Sequence, residues 1–105
     1  MIENHIRTLL EAPEAGEGAP TLAHIEDLLT AGYARAMAIE GEQWRIQRRI
    51  VDVALQLADD FNELQACELR RLAHDLREVE SDLAGIGALI RSLRARANDV
   101  RANAA

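Results

Sequence analysis

Apolar positions recur along most of this chain at steps of three and four residues, the signature of helices that bury one stripe. Ile2, Ile6, Leu9 and Leu10 mark a short amphipathic helix over 2–11. From Leu22, a seam runs through Ile25, Leu29, Gly32, Ala36, Ile39, Gln43, Ile46, Ile50, Val53 and Leu57. It fails at Asp60. A second seam begins at Leu69 and continues through Leu72, Leu76, Val79, Leu83, Ile86, Ile90, Leu93, Ala97 and Val100. Both are a/d repeats of the coiled-coil kind, and they are out of phase with each other.

The segments between these stripes read as connections. Residues 12–20 hold both prolines and two glycines, which predicts a linker. Pro20 or Thr21 opens the next helix. Asp60-x-x-Glu63 and Asn62-x-x-Gln65 both have the form of a capping box, so a new helix starts just after residue 60. The pattern therefore predicts an all-α fold: residues 1–20 as a short N-terminal helix and Gly/Pro linker, and 21–105 as a long antiparallel, coiled-coil-like hairpin with its turn near 58–62. Its arms span about 21–58 and 62–101. Folding about residue 61 places every core residue of the second arm opposite a core residue of the first. Under that rule Gly32 faces Ile90 and Ala36 faces Ile86, with Gly85 and Gly87 at or near the same close approach. The competing topology breaks the helices at Gly41 or at Gly85-Ile86-Gly87, but the unbroken spacing through both sites favours the hairpin.

One apolar row is left over. Met37, Gly41, Trp44, Val51 and Leu55 share a face of the first arm away from its seam. Exposed together they form a contact surface, and the economical partner is a second copy related by a two-fold axis, since such dimers are the commonest oligomers. Two hairpins joined in this way make a four-helix bundle. The other cover is the N-terminal helix, folded back over the row. The expected function is thus that of a non-enzymatic helical interaction or scaffold protein. It self-associates as a homodimer, and another helical protein is the further candidate partner.

Composition agrees with a helical chain: Ala, Leu, Arg and Glu dominate, and 49% of residues are hydrophobic against 29% charged. No uncharged apolar run approaches the ~20 residues of a membrane span, so no membrane role is expected. The net charge is −6, and its excess lies in residues 1–44, which hold eight acids against Arg7 and Arg35. That balance argues against nucleic acid. The alternative function is nonetheless a nucleic-acid-binding accessory protein, because Arg45, Arg48, Arg49, Arg70, Arg71 and Arg77 cluster around Trp44 near the turn and could contact phosphates. Acids interspersed there favour a salt-bridged surface instead, with Arg48–Asp52 and Arg71–Asp75 at intrahelical pair spacing. The basic tail, Arg91, Arg94, Arg96 and Arg101, is expected to lie beside Glu26 and Asp27.

Residues that could carry chemistry are sparse. His24 and Asp27 share a helical face, His74 lies among charges, and His5 has no fixed neighbours. None forms a Glu-x-x-His pair of the di-iron bundle type. Cys67 is expected to be a buried small apolar residue. No catalytic, metal or cofactor-binding residue is expected. A lone cysteine and a start without the basic and apolar regions of a secretion signal point to the cytoplasm.

Overall fold

The structure, a computed structural model, describes residues 1–104. Helix α1 spans Ile2–Glu11, α2 spans Leu22–Asp59 and α3 spans Glu63–Ala104. The described residues contain no strand. Both long helices run unbroken through Gly41, Gly85 and Gly87, so the break at those glycines does not occur.

The helix ends follow the local chemistry. Ala12, which precedes Pro13, is extended at φ −70° and ψ 158°, as the proline ring requires of its predecessor. That stops α1. In the linker, Gly16 and Gly18 both adopt φ +83°, a left-handed conformation that costs glycine nothing. Thr21 then caps α2, its Oγ1 accepting from His24 N at 3.1 Å. At the turn, Asn62 Oδ1 accepts from the amides of Leu64 and Gln65 at 2.8 and 3.2 Å and starts α3. The Asp60 carboxylate caps nothing. Residue 62 is the position immediately outside the helix, the only one from which a side chain reaches the free N2 and N3 amides. The Gln65 side chain does not close a capping box, since its Nε2 donates to Gln56 Oε1 across the turn.

Packing divides the chain into two compact units. One comprises Met1–Met37 with the chain from Ala84 onward, and the other Ala38–Leu83. In the first, α2 and α3 run antiparallel, as shown by the pairing of Glu26 with Arg101 at 2.9 Å and of Gly32 with Ile90. Ile25, Leu28, Ile86, Ile90, Leu93 and Ala97 form its core together with Ile6 and Leu9 of α1. A helix of ten residues is marginal in water, and α1 persists because its apolar stripe is inserted here. In the second unit, Val53, Leu72 and Val79 are buried. Arg49–Glu68 at 2.7 Å and Gln65–Gln56 at 2.6 Å again show antiparallel segments. Every position of both predicted seams is buried or half-buried.

Three expectations are corrected. Gly85 meets nothing within 4 Å, and Gly87 meets only Arg91 of its own helix, so neither belongs to the close approach at Gly32. Cys67 is exposed, lying past the turn on a face that no other helix covers. His5 has neighbours: it lines an open hollow of about 510 Å³ with Thr8, Leu9, Pro20, His24 and Leu28.

Candidate interaction surface

The apolar row of α2 splits between the units. Met37 belongs to the first and is exposed, while Gly41, Trp44, Val51 and Leu55 belong to the second. Within that second unit Trp44 is 59% exposed, Val51 56% and Leu55 62%. The cause is phase: these side chains lie on the helix face turned away from Ile46, Ile50 and Val53, which the antiparallel segment of α3 covers. Within the first unit the apolar stripe of α1 is already engaged, with Ile6 and Leu9 buried and Ile6 beside Gly32. Arg48, one turn on from Trp44, places its guanidinium carbon 5.2 Å from the centroid of the indole ring, within the range of a cation–π contact.

Phe61 and Leu64, 70% and 81% exposed, add apolar surface at the turn of the same unit. Neither belongs to a seam, so periodicity does not single them out. The usable signal was their isolation, since large apolar residues flanking a capping Asn have no stripe to join.

The six arginines near Trp44 are differently placed than their spacing suggested. Arg49 Nε donates to Glu68 Oε1 at 2.7 Å. This contact holds the Glu68 carboxyl below the usual carboxylate range, the hydrogen bond from Arg49 being the main cause. The same bond raises Arg49 further. Arg49 is thereby neutralised on the surface, while Arg45, Arg48, Arg70, Arg71 and Arg77 are exposed. Neither the Arg48–Asp52 nor the Arg71–Asp75 pair forms among the described residues. Arg48 lies over the indole, and the intrahelical side-chain contact found in this unit is His74 Nε2 with Glu78 Oε1 at 3.1 Å.

The tail arginines secure the first unit. Arg101 reaches Glu26 as its position implied. Arg94 donates to the Tyr33 hydroxyl, with its guanidinium carbon 5.6 Å from the ring centroid. Arg96, which the sequence places in a basic stretch, is buried, and its Nη2 donates to Leu10 O at 2.8 Å. Further contacts of 3.4 Å reach the carbonyls of Ala12 and Pro13. A guanidinium here satisfies carbonyls that the end of α1 leaves without intrahelical partners and faces the negative pole of its dipole. Glu3 and Arg35 tie the other end of α1 to α2 at 3.4 Å.

Among the described residues no group of three or more His, Cys, Asp or Glu side chains is placed to hold a metal ion, and no helix is long and apolar enough to cross a membrane. No protein-family profile, curated protein or solved structure matches this chain.

Proposed function

We propose that this chain is a non-enzymatic interaction or scaffold protein that self-associates through the outer face of α2, with a homodimer forming a four-helix bundle. The observation that carries this is the exposure of Trp44, Val51 and Leu55 along one face of a single helix in one unit. Isolated surface apolar residues are ordinary, but large apolar residues aligned on one helix face and including the chain's sole Trp have the composition of a contact surface. Covering a Trp removes ~150–250 Å² from water, or several kcal/mol at ~25 cal/mol per Å², and a symmetric dimer does so twice. Light scattering tests it: the unmodified protein is expected to have the mass of a dimer at tens of micromolar, and Trp44→Glu that of a monomer. A monomer mass for the unmodified protein rejects self-association.

A second function, contact with nucleic-acid phosphates, draws support from the exposed Arg45, Arg48, Arg70, Arg71 and Arg77 in the same unit. It calls for retention of DNA or RNA at about 50 mM salt that weakens steeply as salt is raised, through counterion release. Absence of binding at that salt removes it.

A further inference from the structure

The outer face of α2 has a direction as well as an apolar character. Between Gly41 and Ala58 its positions run Gly41, Trp44, Arg48, Val51, Leu55 and Ala58, alternating steps of three and four over about 26 Å at ~1.5 Å per residue. This is a second a/d seam on the same helix, distinct from the one α3 occupies. Its one charged member is Arg48, held over the indole of Trp44. Along one edge stand Arg45 and Asp52, both exposed and two turns apart. Arg45 belongs to this seam by geometry, since its Nη1 lies 3.6 Å from where a Cβ of Gly41 would be.

Resting on the self-association proposed above, the geometry points to a specific arrangement: two copies of this chain pair their outer α2 seams antiparallel, about a two-fold axis passing between Arg49 and Ile50. In that register Trp44 packs against the partner's Leu55, Arg48 against the partner's Val51, and Gly41 against the partner's Ala58. Large residues meet large or medium ones, and small meets small. Arg45 comes beside the partner's Asp52, and the symmetry repeats that ion pair on the other side. A parallel pair has no such complementarity. It sets each seam residue against its own copy and so brings two Arg48 guanidiniums together in the contact layer, a like-charge juxtaposition that charged interfaces avoid. Charge thus selects the orientation, while the apolar residues supply the affinity.

The two singly reversed chains test this orientation when mixed. Arg45→Glu places two acids opposite each other, and Asp52→Arg places two arginines opposite each other. Each variant alone is expected to weaken the dimer about tenfold, the effect of converting two rim pairs from attraction to repulsion. An equimolar mixture is expected to regain the original dissociation constant. In the heterodimer the introduced acid of one chain faces the introduced arginine of the other, and on the opposite side the native Arg45 faces the native Asp52. The chain carrying both reversals is likewise expected to regain it. Residues 45 and 52 are too far apart along one helix for an intrahelical pair to explain either rescue. Circular dichroism should show unchanged helicity throughout, as both sites are exposed. Dimers in the unmodified protein without rescue in the mixture overturn the antiparallel register and leave self-association standing. An unmodified protein that stays monomeric overturns both.

Discussion

A Cβ built on Gly32 would lie 3.3 Å from Cγ1 of Ile90 and 3.4 Å from Cδ1 of Ile6, so at this glycine α2 packs tightly against both α1 and α3. Replacing Gly32 with Val overfills that contact and is expected to destabilise the protein by roughly 1–3 kcal/mol. Gly85→Ala enters open space in a helix and should stabilise by about 0.5–1 kcal/mol. Urea unfolding of the two variants gives both values. Equal effects would contradict the different roles assigned to the two glycines.

Arg96 holds the C-terminal carbonyls of α1. Arg96→Met keeps much of the side-chain length and loses the donors, at an expected cost of about 1.5–3 kcal/mol for charge-assisted bonds. Hydrogen exchange should accelerate in residues 2–11 more than in the middle of α3. Arg96→Lys is expected to recover part of the protection, since an ammonium cannot present the guanidinium fork to several carbonyls.

At the turn, Asn62→Ala removes two amide contacts and should cost about 1 kcal/mol. Asp60→Ala removes no cap and should fall within about 0.5 kcal/mol of the unmodified protein, as surface changes usually do. Thermal unfolding separates the two. A larger loss at Asp60 would place the cap there.

Much of the fold was legible in the residues. The three-four spacing located all three helices to within a few residues and placed Gly32 against Ile90, because burial in a helix pair repeats with the helical turn. The Arg101–Glu26 pair followed from the same antiparallel rule. Periodicity could not show where α1 docks, since a tethered amphipathic helix can take any apolar groove within reach, nor that Leu28, which belongs to neither seam, is buried. Nor could it show that Arg96 turns inward. That role depends on carbonyls contributed by a helix end some eighty residues earlier, and residue spacing carries no record of them. On the outer face of α2, the apolar row could be read directly, but the choice of Glu68 over a same-helix acid as the partner of Arg49 required knowing how the antiparallel segments face each other.

The Arg49–Glu68 pair has a defined pH dependence. The Glu68 carboxyl titrates below its ordinary range in the folded protein, so folding is favoured while that group is ionised. Its contribution is complete above the ordinary glutamate pKa of ~4.3 and disappears as pH falls through the lower folded value. Glu68→Gln should therefore reduce stability slightly at neutral pH and flatten its decline in acid. Equilibrium unfolding at pH 7 and at successively lower pH follows the difference, which should vanish once Glu68 is protonated in both states.

Emission from Trp44, the sole tryptophan, reports on the proposed interface directly. In a single chain the indole is more than half exposed, so only a partner can bury it. The maximum is expected to be blue-shifted at high concentration and to move red on dilution, in step with dissociation. A maximum already characteristic of indole in water at the highest concentration, unchanged by dilution, would contradict self-association through this face.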